Sequence, residues 1–183
     1  VDLNNIFISD ADPEHLVTRA ERAGFPINCC TWIKGIYGTA LEHGIDSVIC
    51  VTNGDCSNTQ MLMEVLKLKG INTIPFAYPD SPNLLLMQAC LESLAKTLGT
   101  TVDRAEKIRL ELERPRSLIR ELDEMTWKND VASGFENHYW HVSASDFIGD
   151  AGEYEKGLSR LLDECRTRKS YNSDMLRLAY IGG

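Results

Sequence analysis

The segment from Ser47 to Ala77 alternates between the apolar pattern of a strand and that of a helix. A continuous apolar run from Ser47 to Val51 is followed by helical periodicity from Ser57 to Lys69 and by a second strand pattern from Ile71 to Ala77. Continuous apolar runs are typical of buried parallel strands, and parallel neighbours are joined by a crossover helix. The sequence therefore predicts an α/β fold, a three-layer domain with a short, mainly parallel sheet.

The same alternation precedes and follows this segment. Upstream, Ile6–Ile8 predicts a short strand, and the pattern from Pro13 to Ala23 predicts a helix with proline at a favoured first position. A short strand or loop then leads to Cys30, and apolar residues at helical spacing from Ile33 to Leu41 predict a further helix. Downstream, the segment from Asn83 to Leu98 predicts a long apolar helix.

Residues 102–170 are rich in charge and predict a helical insertion. The helical patterns run from Val102 to Lys128 with an interruption near Pro115, from Ser133 to Phe147 and from Glu153 to Arg168. A last strand is predicted from near Met175, and it runs into the two final glycines. Native chains seldom stop where a strand gives way to a loop. We therefore expect residues 1–183 to be the N-terminal domain of a longer protein, with a second domain absent.

The composition limits the classes of function. The chain has 183 residues, of which 43% are hydrophobic and 25% charged, and this suits one globular domain with a substantial core. The formal net charge of −8 argues against nucleic acid or an anionic membrane as a partner, since both attract basic patches. No apolar run approaches the roughly 20 residues that span a bilayer. Six cysteines without the spacing of a stapled secreted domain indicate the reducing cytoplasm.

Cys30 and Cys56 are the sharpest candidates for a site. Each is expected where a strand ends and a helix begins, so both loops should open at the same edge of the parallel sheet. Helix N-termini stabilise thiolate charge, and two soft sulfur donors at one edge favour a metal centre, above all an iron–sulfur one. Cys29 is a further ligand candidate, although adjacent residues of an extended segment point to opposite sides. The alternative is that these thiols are buried as small hydrophobic groups, which the polar turn from Asn53 to Asn58 opposes.

The other cysteines and the histidines favour structural roles. Cys50 lies inside a predicted strand, and Cys90 and Cys165 each share a helix face with apolar side chains. The spacing of His138 and His141 could hold zinc or iron, but no second ligand pair accompanies them. A Gly-rich dinucleotide fingerprint and a Walker loop are both missing from the sequence, and no catalytic residue is predicted.

Five short segments, in order along the chain, resemble those of one family. Cys30–Lys34 resembles a cysteine, aromatic and basic segment that opens a helix, Asp55-Cys56 resembles a Cys-Asp loop in reversed order, and Tyr78–Asp80 resembles a proline turn after the third strand. Val131–Glu136 resembles a Ser-Gly-x-Glu stretch, and Arg177–Gly183 resembles the strand that opens a second domain. Over nearly its whole length the chain is thus similar to the 2-hydroxyacyl-CoA dehydratase family. That family includes 2-hydroxyglutaryl-CoA dehydratase subunits, benzoyl-CoA reductase subunits and double-cubane cluster proteins.

The resemblance implies an iron–sulfur cluster, either [4Fe–4S] or double-cubane [8Fe–9S], held by three cysteines of each subunit. Carried over, Cys30 and Cys56 are the ligands of the first domain, with Cys29 as an alternative to Cys30, and the third ligand lies beyond residue 183. The implied enzyme is an anaerobic lyase or a related reductase, in which an open iron site binds the thioester carbonyl of an acyl-CoA substrate as a Lewis acid. The implied partners are a second dehydratase subunit, in a hetero- or homodimer, and an ATP-dependent activator that delivers low-potential electrons.

Two other functions stay open. One is a flavodoxin-like binding module that uses Thr52–Asn58 for a phosphate or a flavin, with ordinary thiols. The other is a non-catalytic subunit that keeps the fold without a cluster. If the cluster hypothesis holds, we expect residues 1–183 alone to bind no stable cluster and to turn over no substrate, because two or three cysteines on one face leave an open site.

Overall fold

The computed structural model describes residues 1–171 together with Leu176 and Leu178. The chain divides into two compact units: a sheet unit, Asp2–Arg109, and a helical unit that begins at Leu110 and also includes Val1. The fold is mixed α/β with a short parallel sheet, as predicted. The strand predicted from Met175 onward lies outside the described residues, apart from Leu176 and Leu178.

The sheet unit consists of helices packed on two strands. Their order is α1 (Leu3–Ser9), α2 (Pro13–Arg22), α3 (Thr31–Glu42), β1 (Ser47–Asn53), α4 (Ser57–Leu68), β2 (Asn72–Ala77) and α5 (Leu84–Thr97). The next helix, α6 (Val102–Glu111), spans the boundary between the units and has no buried residue. The helices and strands predicted between Pro13 and Leu98 are present, except that the segment before Cys30 is a loop and not a strand.

The two strands pair in parallel, as the alternating pattern predicted. The register places Ser47 opposite Asn72 and Val51 opposite Phe76, with an irregularity just before Asn53. Helix α4 is the crossover that joins them. Because the strands are parallel, both end at the same edge of the sheet, and the loops that lead to α4 and α5 begin there.

The segment Ile6–Ile8 lies in helix α1, so the strand predicted for it is wrong. The Asp2 side chain caps this helix by accepting a hydrogen bond from the Asn4 backbone N–H at 2.9 Å. The buried Phe7 ring packs edge-on against Trp32. Three apolar residues fit either a strand or a helix, and the capping interaction together with the burial of Phe7 favours the helix.

Cys30 follows a loop, so the prediction that both site cysteines follow strands is wrong for this residue. The Cys29 N–H donates to the Pro26 carbonyl at 2.9 Å, which closes a turn directly before Cys30. Gly24, with a φ of +106°, and Pro26 both interrupt extended backbone. Cys56, in contrast, follows β1 as predicted.

The core of the sheet unit lies where α2, α3 and α4 meet. Its buried side chains are Ala20, Phe25, Ile33, Tyr37, Ala40, Leu62, Leu66 and Ile71. Gly38 lets α3 approach α2 so closely that a Cβ atom at this position would lie 2.3 Å from the Leu16 carbonyl oxygen. An ion pair between Arg19 and Glu42 joins the same two helices. This packing fixes the direction of α3, which carries Cys30 at its start.

Helix α5 is apolar but largely exposed. Asn83 caps it by accepting hydrogen bonds from the N–H groups of Leu85 and Leu86. Leu84 and Leu85 are 88% and 79% exposed, and Ala95 is the buried member of the helix. Neither α5 nor any other helix in the described part of the chain has both the length and the hydrophobicity to cross a membrane.

The helical unit consists of α7 (Glu113–Trp127), α8 (Gly134–Ser143), one turn of 3-10 helix (Phe147–Gly149) and α9 (Ala151–Thr167). The prediction that residues 102–170 are mostly helical is confirmed. The break between α6 and α7 lies at Leu112 instead of Pro115. Pro115 occupies the first turn of α7, where a helix does not need the missing N–H. The core of this unit is formed by Leu118, Ile119, Leu122, Ala132, Phe147, Tyr154, Leu158, Leu162 and Cys165.

Raising the pH above 10 should destabilise the helical unit through Tyr154. This side chain is buried, and its hydroxyl donates to the Trp140 carbonyl at 2.6 Å. Burial, with a smaller contribution from Tyr139, raises the pKa of Tyr154 to about 12. Because an unfolded tyrosine has a pKa of about 10, the stabilising effect is complete below about pH 10. It is lost as the pH rises through about 12, by about 3 kcal/mol in full.

Urea unfolding between about pH 8 and pH 12 measures this effect. In Tyr154→Phe, which cannot ionise at this position, the alkaline loss of stability should be smaller than in the wild type. Tyr171→Phe, which removes a hydroxyl from a side chain 42% exposed, is the matched control and should keep the wild-type slope. An unchanged slope in Tyr154→Phe would contradict the assignment.

Candidate metal centre

The six cysteines differ sharply in exposure. Cys30 and Cys56 are exposed, Cys29 and Cys90 are half-buried, and Cys50 and Cys165 are buried. Burial raises the pKa of the Cys50 and Cys165 thiols, so both favour the protonated, unreactive form. Their predicted place in the core is confirmed, whereas Cys90 is covered only in part.

Cys30 is the N-cap residue of α3. Its carbonyl oxygen accepts the Lys34 N–H at 3.1 Å, and its thiol makes no capping hydrogen bond. The free N–H groups of the first helical turn lie at this end, where the positive pole of the helix dipole stabilises a thiolate. The adjacent Cys29 packs half-buried against the core of the sheet unit. The structure therefore presents Cys30, and not Cys29, at the surface.

Cys56 is the N-cap residue of α4, just after β1 ends. The Asp55 carboxylate closes the turn: one oxygen accepts the Cys56 N–H at 2.7 Å, and the other accepts the Thr59 hydroxyl at 2.9 Å. The Cys56 Sγ atom lies 4.0 Å from the Thr59 Oγ1 atom. The thiol itself is exposed. Asp55 and Thr59 thus fix the backbone of Cys56 and leave its sulfur open to a ligand.

The loop that carries Cys56 is fastened to the loop that follows β2. The Asn53 Nδ2 atom donates to the Tyr78 carbonyl and to the Asp80 carboxylate, each at 2.7 Å. In return, the Tyr78 N–H donates to the Asn53 carbonyl at 3.1 Å. The two loops form one connected edge at the carboxyl ends of β1 and β2, which is where open α/β sheets bind ligands.

The cysteines fit an iron–sulfur cluster in chemistry but not in number. Within residues 1–171, no three His, Cys, Asp or Glu side chains lie together as a metal site would require. This also removes His138 and His141 as part of such a group in the described structure. Cys30 and Cys56 supply exposed sulfur at helix N-termini, but two sulfurs do not complete the ligand set of a cubane. A cluster here requires ligands from outside the described residues.

Comparison with known protein families identifies the family of the chain. The family model described as 2-hydroxyglutaryl-CoA dehydratase, D-component, matches residues 4–183. The chain belongs to this family. No curated protein and no solved structure matches it. The predicted resemblance to the 2-hydroxyacyl-CoA dehydratase family is thereby confirmed.

Two residues of this dehydratase-family chain make contacts near Cys30 and Cys56 that the sequence patterns did not predict. Lys34 is the basic member of the Cys30–Lys34 segment, and its charge is buried under the loop before Cys30. Asn53 joins the two loops at the sheet edge. In the sequence, Lys34 is visible only as a lysine beside the apolar face of a helix, and Asn53 only as an asparagine at the end of a buried strand. Neither pattern indicates which residue the side chain contacts.

Proposed function

We propose that this chain is the cluster-bearing component of a 2-hydroxyacyl-CoA dehydratase-type enzyme, with Cys30 and Cys56 as two ligands of an iron–sulfur cluster. The observation that carries the proposal is that the two exposed cysteines among the six are the two that occupy helix N-cap positions. An exposed thiol adds little to a core. At a helix N-terminus, however, its thiolate gains the stabilisation that a metal ligand needs. Membership of the family supports the same function.

The lengths of the elements support placing both sulfurs at one end of the sheet. Helix α3 has 12 residues and strand β1 has 7, so they extend about 18 Å and about 23 Å. Residues 43–46 form a short connection, which lets α3 run back beside β1. In that arrangement the start of α3 would lie near the carboxyl end of β1, where α4 begins. The proposal requires the two sulfurs to lie within about 12 Å, given iron–sulfur bonds of roughly 2.3 Å.

The residues of this chain hold and orient the ligands. Asp55 and Thr59 close the turn of Cys56, Asn53 fixes that turn to the neighbouring loop, and the ends of α3 and α4 offset thiolate charge. When bound, a [4Fe–4S] or double-cubane [8Fe–9S] cluster supplies low-potential electron transfer and a Lewis-acidic iron. The described residues provide two ligands, and a further domain or subunit provides the rest.

The family also supports the wider setting of the proposed enzyme. Its substrate is an acyl-CoA thioester, and its reaction is an anaerobic dehydration, which makes it a lyase, or a related reduction. Its partners are a second dehydratase subunit and an ATP-dependent iron–sulfur activator. The proposed compartment is the cytoplasm, where exposed thiols stay reduced.

Iron and sulfide analysis of the anaerobically purified protein tests the proposal. The protein should be produced with any natural sequence that follows residue 183 and with its partner subunit. We expect about four or more iron atoms per chain, with sulfide to match. Cys30→Ser and Cys56→Ser should each abolish stable iron binding, because each removes a ligand. Cys90→Ser, which alters a half-buried thiol on α5, is the control and should retain the iron.

Full iron content in the Cys30→Ser/Cys56→Ser double variant would refute the assignment of these ligands. Flavin absorption in place of iron would favour the binding-module alternative. A protein without iron or flavin that still joins its partner subunit would favour the non-catalytic alternative.

A further inference from the structure

Lys34 carries a charge that is buried under the Cys29-Cys30 segment. The residue is 2% exposed. Its ammonium group donates to Glu21 Oε1 at 2.6 Å and to the Ile27 carbonyl at 3.0 Å. One side chain of α3 thereby joins the end of α2 to the loop that precedes the site.

Stability alone gives a poor explanation of this ion pair. Removing an ammonium group from water is costly, and apolar side chains of similar size often replace buried ion pairs without loss of stability. The Glu21 side chain is 34% exposed, so the pair also remains in contact with solvent. What an apolar side chain could not supply is the hydrogen bond to the Ile27 carbonyl.

Lys34 holds the Cys29-Cys30 segment at both ends. Its Nζ atom binds the Ile27 carbonyl on one side, and its backbone N–H donates to the Cys30 carbonyl at 3.1 Å on the other. Pro26, Ile27 and Asn28 are exposed, so their side chains contribute little packing. The Lys34 side chain, the buried Phe25 and the half-buried Cys29 therefore hold this loop on the core.

We propose that Lys34 is a positioning residue that selects Cys30 over Cys29 as the thiol presented to a ligand. With the tether in place, Cys29 packs half-buried against the core and Cys30 is exposed at the α3 N-cap. Without it, a shift of one residue in the loop exchanges the two sulfurs at the surface. The role of the exposed thiol as a cluster ligand rests on the proposed function. The exposure of the two thiols can be measured without iron.

Alkylation of the reduced, iron-free chain by iodoacetamide, without oxygen, tests this role. Fragmentation mass spectrometry assigns the label to Cys29 or Cys30, and the wild type should label Cys30 faster. Lys34→Met keeps the side-chain length and removes the donor. It should lower the Cys30-to-Cys29 ratio of rates about tenfold, the factor expected for a lost charge-assisted hydrogen bond. Lys67→Met, which replaces an exposed lysine of α4, is the matched control and should keep the wild-type ratio.

A second variant keeps the test decisive if Lys34→Met unfolds, which labelling of the buried Cys50 would reveal. Glu21→Met replaces a partly exposed side chain and removes the counter-ion of Lys34. It should lower the ratio about threefold relative to Glu14→Met, on the scale of a weakened charged hydrogen bond. A wild-type ratio in Lys34→Met with Cys50 protected would overturn the inference. If Cys50 becomes labelled in Lys34→Met, the test passes to Glu21→Met, and a wild-type ratio in that variant would overturn the inference.

Iron analysis of the anaerobically purified protein separates this inference from the proposed function. A lowered ratio in a protein that takes up no iron supports the positioning role of Lys34 and refutes the cluster. If the wild-type protein takes up iron but Lys34→Met leaves the labelling ratio of the iron-free chain unchanged, the cluster is supported and the positioning role is refuted.

Discussion

Replacing Gly38 by alanine should destabilise the sheet unit by about 3 kcal/mol or more, the upper part of the range for overpacked cores. The added Cβ atom would lie 2.3 Å from the Leu16 carbonyl oxygen and 2.7 Å from its carbonyl carbon. These are backbone atoms inside helix α2, so they cannot rotate away as a side chain can. Leu16 is itself fully buried. Helices α2 and α3 would have to separate, and the core between them would loosen.

Urea unfolding followed by circular dichroism measures the effect. Gly134→Ala is the matched control, because Gly134 is also helical and nothing lies within 4 Å of its added Cβ atom. The control should match the wild type or gain up to about 1 kcal/mol from helix propensity. Because α3 also carries Cys30, Gly38→Ala should increase alkylation of the half-buried Cys29. Wild-type stability in Gly38→Ala would contradict the close approach of the two helices.

Replacing Gly54 by alanine should destabilise the Cys56 loop by about 2–3 kcal/mol, within the range for strained backbone. Gly54 has a φ of +93°, which side-chain-bearing residues rarely adopt. Its added Cβ atom would also lie 2.6 Å from the Tyr78 ring. The ring is 46% exposed and can move, but it would lose its edge contact with Phe76. The hydrogen bonds between Asn53 and the Tyr78 loop should weaken, and under the proposed function iron binding should fall.

Gly70→Ala separates the two causes of this effect. Gly70 has a similar φ of +84°, but nothing lies within 4 Å of its added Cβ atom. The difference in unfolding free energy between Gly54→Ala and Gly70→Ala therefore reports the contact with Tyr78. Adding Tyr78→Ala to Gly54→Ala should recover part of the loss, as in a double-mutant cycle. If Gly54→Ala costs no more than Gly70→Ala, the ring contact contributes nothing.

Local patterns in the sequence were sufficient to predict the two paired strands and most helices. A buried strand, a helix and a second strand follow one another with only short loops between them. This order is typical of a right-handed crossover, and β1 and β2 do form a parallel pair joined by α4. Helices α7 and α9 carry their own apolar stripes. Helix α8 begins with the reciprocal hydrogen bonds of Ser133 and Glu136. The polar turn after β1 likewise predicted that Cys56 would not be a core residue.

Other features depended on neighbours that a local pattern does not include. The run Ile6–Ile8 fits a strand or a helix. In the folded chain it is helical, and Phe7 packs against Trp32. The break near Pro115 lies at Leu112 instead, because a proline is accommodated in the first turn of a helix. In each case the residues alone allow two arrangements, and the surrounding packing favours one of them.

The choice between Cys29 and Cys30 is the clearest case of a tertiary decision. The sequence places two identical thiols side by side, and extended backbone predicts only that they point in opposite directions. Which of them faces outward follows from packing on the core and from Lys34, whose partners lie 13 and 7 residues away in the sequence. Apolar periodicity indicates which residues form a helix or a strand, because the two have different repeats of about 3.6 and 2 residues. Charged contacts between elements depend on distances that exist only after the chain has packed.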